Sequence, residues 1–135
     1  MRPNLESDFF NAPRPRIFGH RGSAGTHPEN TLPSFQAAYD LGARYLETDV
    51  HMTRDGEIVV SHDPDLARCC GVMRVIRESD YADIAKADAG YAFSLNGKEF
   101  AFRGKGIRVP RLAELLATFP DVFFNIDLKP EDVSL

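Results

Sequence analysis

The sequence contains no tryptophan and only two cysteines among its 135 residues. Those two, Cys69 and Cys70, are adjacent, a spacing whose strained geometry seldom permits a mutual disulfide. Two reduced thiols are therefore expected. No apolar run approaches the length needed to cross a bilayer, so stable membrane insertion is not expected. A basic excess is also missing. Sixteen Lys and Arg against 20 Asp and Glu leave a formal net charge of −4, which argues against a nucleic-acid partner. Phosphate recognition would then have to be local, through a few placed basic residues or a metal. Residues 1–15 lack the charged-then-apolar order of a secretory signal; they read as a polar leader, and a cytoplasmic location is expected.

What is present is an ordinary globular composition, 43% hydrophobic and 27% charged, at a length that can bury one core. Four short apolar runs read as strands, at 16–19, 43–49, 57–61 and 122–128. Between the first two lies a helix. Asn30-Thr31 caps its start, Pro33 sits in its first turn, Gly42 ends it, and Leu32, Phe35, Ala38, Tyr39 and Leu41 form its apolar stripe. A second helix is expected over 111–119, with Pro120 behind it. A tight turn centred on Asp55-Gly56 separates the second and third runs. Strand–helix–strand units with buried apolar strands predict a parallel α/β sheet. The polar, glycine-bearing segment of about 66–108 breaks that rhythm and reads as an insertion over the mouth of the sheet.

Strand periodicity then sorts the polar residues. Residues two apart share a face, so Glu47, Asp49 and His51 project together, as do Asn125, Asp127 and Lys129. Carboxylates side by side on a buried strand are costly unless neutralised. A divalent cation answers that need, and hard oxygen ligands favour Mg²⁺ or Ca²⁺. Asp127 is placed to supply a third carboxylate, with Lys129 beside it facing phosphate. His51 lies past the carboxylates and is expected at the substrate rim. His20 and His62 each end an apolar run, and two imidazoles at one sheet edge suit general acid–base work near neutral pH. Arg21, between Gly19-His20 and Gly22, offers a planar fork for phosphate oxygens. All these groups are expected at the C-terminal ends of strands, the face that carries active sites in (β/α)₈ barrels.

The motifs, in order, are Gly-His-Arg-Gly at 19–22, Pro-Glu-Asn-Thr at 28–31, Gly-Ala at 42–43, Glu-Thr-Asp-Val at 47–50 and Thr-Arg-Asp-Gly at 53–56. Val-Val-Ser-His-Asp at 59–63, Val-Pro-Arg-Leu at 109–112 and Asn-Ile-Asp-Leu-Lys at 125–129 follow. This series resembles the glycerophosphodiester phosphodiesterase family. The resemblance implies a (β/α)₈ TIM barrel, of which 16–135 would supply roughly the first half plus the insertion. It also implies metal-dependent hydrolysis of glycerophosphodiesters to glycerol 3-phosphate and an alcohol. By the same resemblance His20 and His62 are the catalytic pair, Arg21, Lys129 and Glu29 contact substrate, and Glu47, Asp49 and Asp127 hold the metal. Asp127 departs from the family's more usual Glu by one methylene. Two other readings are a lysophospholipase D and an incomplete, non-catalytic half-barrel module. Such a half would need a partner half, self-association or downstream sequence, because its edge strands are unpaired.

Overall fold

The computed structural model describes residues 14–129; most of the segment read as a polar leader lies outside them. Strand β1 (Phe18–His20) leads to helix α1 (Leu32–Asp40) and strand β2 (Tyr45–Met52). Strand β3 (Ile58–Val60) follows, then the short helices α2 (Ala67–Cys70) and α3 (Tyr81–Ile84), with a 3₁₀ turn at Ile76–Glu78 between them. Helix α4 (Leu112–Thr118) and strand β4 (Phe123–Leu128) complete the order.

Helix α1 starts where expected. The Thr31 hydroxyl accepts the Ser34 amide at 3.4 Å, and proline occupies the first turn. Leu41, assigned above to the apolar stripe, is the C-cap and is exposed, because Gly42 at φ +96° turns the chain away there. Phe35 and Ala38 pack with Leu46, Val60, Leu115 and Phe119 to form the core on the helix-covered face of the sheet. Each fully buried large side chain there contributes about 1.5–3 kcal/mol.

The sheet is parallel only in part. β2 pairs in parallel with β1 (Phe18 opposite Tyr45, His20 opposite Glu47) and with β4 (Tyr45 opposite Phe123 through Val50 opposite Leu128). β3 runs antiparallel to β2, with Val50 opposite Val60 and Met52 opposite Ile58. This corrects the all-parallel expectation. The link between Met52 and Ile58 is closed by hydrogen bonds from the Thr53 amide to Glu57 and from the Gly56 amide to Thr53. It is far too short for a crossover, which needs a dozen residues or more. Three strands, not four, therefore belong to the parallel set.

Main-chain hydrogen bonds show where β3 lies. The Glu47 carbonyl accepts from Arg21 just past β1, the Asp49 carbonyl from Ser61 just past β3, and the Val50 carbonyl from Lys129 just past β4. Carbonyls two apart point to one edge of a strand. β1 and β3 thus share one edge of β2, one after the other, and β4 holds the opposite edge.

The inserted segment is more than a loop. Leu66, Cys70, Ile76, Ile84, Ala89 and Val109 pack around Val59 of β3 in a second apolar core. The Arg54 guanidinium, in the β2–β3 turn, tethers it further through two hydrogen bonds to Asp80 at 3.0 and 2.9 Å.

Candidate active site

The register of the sheet sets the site in layers. The lowest is aromatic. Phe18, Tyr45 and Phe123 are aligned across three strands, with ring centroids 5.2 and 5.3 Å apart. Two residues on, His20, Glu47 and Asn125 are aligned, and above them Asp49 stands opposite Asp127. The expected faces of β2 and β4 are thus the ones that meet. His20 Nε2 lies 3.6 Å from Glu47 Oε2, with the histidine side chain 69% exposed.

Just past β1 the chain bends sharply at Arg21, in the left-handed region at φ 52°, and Asn30 adopts φ 56°. Non-glycine residues hold such angles only where their surroundings over-determine them, and the contacts here do so. The Arg21 amide donates to Glu47 and its carbonyl accepts from the Asn30 amide and the Ser34 hydroxyl. The Arg21 guanidinium meets Glu29 at 2.9 Å and Asp49 at 3.4 Å. Asn30 donates to Asp49 Oδ2 at 3.2 Å and accepts from the Thr48 hydroxyl at 3.0 Å. Gly22 makes this bend possible. At φ +83°, a Cβ there would lie 2.5 Å from Ser34 Oγ and 2.6 Å from the Ser34 carbonyl carbon.

His62 arrives by the returning arm of the β2–β3 hairpin, not by a parallel strand. Its Nδ1 is 2.8 Å from Asp63 Oδ1. His51, expected at a substrate rim, is buried instead. Its Nε2 lies 3.0 Å from the His62 carbonyl; since a carbonyl only accepts, that nitrogen carries the proton. His51 holds the His62 backbone and does not face solvent, because β2 runs past the parallel sheet and β3 covers it.

One residue went unremarked in the sequence. Arg68, on α2 of the inserted segment, donates to Asp63 at 2.8 and 3.1 Å and grips Glu29 with both terminal nitrogens. Its position five residues after Asp63 gives no hint of this role, since Glu29 comes from far earlier in the chain. Asp63 is held down to about 2, first by Arg68's hydrogen bonds, against a counteracting burial cost. Burial pushes Glu29 up, but Arg68 and Arg21 outweigh it and leave the carboxyl below its ordinary value. Beside Glu29 and Arg68 opens a cavity of about 240 Å³, walled on its other sides by Ala24, Pro28, Ala92 and Phe93. Cys69 and Cys70 are both free thiols; burial pushes them up to about 11 and about 12. They are poor nucleophiles in this state.

The three acidic residues expected to bind metal differ in their surroundings. Glu47 Oε2 is buried without a hydrogen-bond partner. Burial and then the neighbouring Asp49 charge raise the Glu47 carboxyl above its ordinary range. Asp49 is 3% exposed and meets Lys129 Nζ at 3.0 Å; Asp127 is largely exposed and meets the same ammonium at 2.9 Å. Lys129 holds Asp127 below, and is itself raised above, the ordinary value. Among the described residues no group of three His, Cys, Asp or Glu is already gathered as a metal site. An orphaned carboxylate oxygen beside a second carboxylate nevertheless suits a hard divalent cation.

Three parallel strands, helices on one face and polar residues at their C-terminal ends together define a section of a (β/α) barrel. The chain belongs to the glycerophosphoryl diester phosphodiesterase family, whose model matches residues 20–134. It is 36% identical over 118 residues to lysophospholipase D GDPD1 of Mus musculus, covering 84% of this chain and 36% of that protein. It is likewise 36% identical over 115 residues to a glycerophosphodiester phosphodiesterase of Caldanaerobacter subterraneus, covering 84% and 44%. The crystal structure of a glycerophosphodiester phosphodiesterase from Agrobacterium tumefaciens superposes with TM-score 0.73 at 32% identity, over 84% of this chain and 46% of that one. An Oleispira antarctica phosphodiesterase in complex with the product sn-glycerol-3-phosphate matches with the same score and identity, over 85% and 44%. The chain thus spans less than half the length of these relatives, and its fold is a partial barrel. No helix among the described residues is long and apolar enough to cross a membrane.

Proposed function

We propose that this chain carries the proton-handling and phosphate-binding residues of an enzyme that hydrolyses glycerophosphodiesters to glycerol 3-phosphate and an alcohol. The observation that carries the reading is the pair of aligned rungs, His20–Glu47 and Asp49–Asp127, beside an Arg21 fixed by Glu29 and Asp49. A glycerol hydroxyl adjacent to the phosphodiester attacks phosphorus in line, forming a P–O bond as the bond to the alcohol oxygen breaks. One of His20 and His62 takes the hydroxyl proton, and the other protonates the departing alkoxide. Water then opens the cyclic phosphate with the proton roles reversed. Arg21 faces the phosphoryl oxygens with donors that strengthen as charge develops there. Glu47, Asp49 and Asp127 would hold Mg²⁺ or Ca²⁺, which, when bound, supplies further charge stabilisation at the phosphoryl oxygens.

The test is turnover of glycerophosphocholine by the intact protein and by His20→Ala and His62→Ala variants. Each variant should lose about 10²–10⁴-fold in kcat; full activity in either would remove that histidine from the mechanism.

A lysophospholipid is a second substrate class. It is favoured by the apolar wall of Ala24, Ala92 and Phe93 beside Glu29 and by the likeness to a lysophospholipase D. Comparing kcat/KM for glycerophosphocholine and lysophosphatidylcholine separates the two.

A further inference from the structure

The His62–Asp63 pair and the Arg21–Glu29 pair come from different parts of the chain, the first after β3 and the second around the β1–α1 link. No contact between Asp63 and Glu29 could join them, because both are acidic. Arg68 joins them. Its Nε and one terminal nitrogen donate to the two oxygens of Asp63 at 2.8 and 3.1 Å, while both terminal nitrogens reach the two oxygens of Glu29. Asp63 in turn meets His62 Nδ1 at 2.8 Å, and Glu29 meets Arg21 at 2.9 Å. The result is an unbroken series, His62–Asp63–Arg68–Glu29–Arg21, in which one guanidinium serves two carboxylates with a planar fork that lysine does not have.

We infer that Arg68, supplied by the inserted segment, is a positioning residue that couples proton transfer at His62 to phosphate binding at Arg21. The inference rests on the proposed phosphodiesterase activity and extends it to a residue outside the rungs of the sheet. Held from one side by Arg68, Asp63 fixes the imidazole's Nδ1 and leaves Nε2 turned to the reacting atoms. Held from the other, Glu29 fixes the Arg21 fork. The insertion thereby acts on the chemistry, beyond covering the sheet.

The experiment uses the intact protein and the variants Arg68→Gln and Arg68→Lys, with Asp80→Asn as a control that loosens the insertion at its other tether. Both Arg68 variants should lower kcat/KM for glycerophosphocholine about 10–10²-fold, with lysine giving no rescue, while Asp80→Asn stays within about twofold. A double-mutant cycle between Asp63→Asn and Glu29→Gln should show coupling in the wild-type background and none in Arg68→Gln. Unchanged coupling in that background, or wild-type kcat/KM in Arg68→Gln, overturns the inference. So does an Asp80→Asn loss equal to that of Arg68→Gln. An activity-free reading comes from the Arg68 Nε–H resonance, expected to exchange slowly with solvent and to lose that protection in Asp63→Asn. Fast exchange in the wild type also overturns it. Absence of wild-type turnover on either substrate class would instead count against the proposed function, leaving the bridge to be decided by this resonance.

Discussion

Asp49 and Asp127 stand opposite each other across the β2–β4 ladder, and the Lys129 ammonium sits between them, 3.0 Å from one carboxylate and 2.9 Å from the other. Asp49 is almost fully buried, so loss of this ammonium would leave its carboxylate with little water to take its place. Lys129→Met removes the charge while keeping much of the stem. It should destabilise the fold by about 1–3 kcal/mol, since Arg21 remains to compensate Asp49 in part. The same variant should gain more thermal stability from millimolar Mg²⁺ or Ca²⁺ than the wild type does. Equal metal-induced shifts would mean that Lys129 and the cation do not share these carboxylates.

Glu47 is a carboxylate raised by burial and by Asp49, so its charged form costs the folded state stability at neutral pH. The sign follows from the raised value: that cost is present above the folded pKa and relieved as the pH falls below it. Glu47→Gln should therefore unfold at an equal or higher temperature than the wild type in chelator at neutral pH. Added divalent cation should then raise the midpoint of the wild type but scarcely that of the variant. Loss of stability in chelator would show that the orphaned oxygen has a partner in solution.

Gly22→Ala tests the bend that places Arg21. A positive φ combined with a Cβ forced against the Ser34 main chain should cost about 2–4 kcal/mol. Urea unfolding would measure it, and a cost below about 1 kcal/mol would mean that the bend relaxes freely.

Asp63, held down to about 2 from 3.8 chiefly by Arg68, stabilises the fold above the unfolded value. That contribution is lost as the pH falls through about 2. Allowing for solvent screening, it amounts to about 1 kcal/mol. The stability gap between wild type and Asp63→Asn should stay constant from neutral pH down to about 4 and then close. A gap independent of pH would remove the charge from the explanation.

Much of this was legible in the sequence. Alternation in β2 and β4 put Glu47, Asp49 and Asp127 on meeting faces because a pleated strand leaves no other choice. Thr31, Pro33 and Gly42 marked α1 because caps and turns are local chemistry. The direction of β3 was misread. An apolar run looks the same in parallel and antiparallel pairing, and only the brevity of the Thr53–Glu57 turn tells them apart. His51 was misplaced for a related reason, since its burial depends on β3 folding back over it. Arg68 was missed altogether. A charged residue on a four-residue helix shows nothing of a carboxylate nearly forty positions earlier until the chain is folded. The second core around Val59 was hidden likewise, its members scattered without period from Leu66 to Val109.

The exchange of partners along one edge of β2 has a practical consequence. β1 leaves that edge after Glu47 and β3 takes it up from Val50, so the cleft between them is moulded by main-chain hydrogen bonds. The buried His51 side chain adds a further bond, to the His62 carbonyl. Truncating His20 or His62 should leave the mould intact, and the resulting losses can be read as chemistry removed and not as a collapsed scaffold.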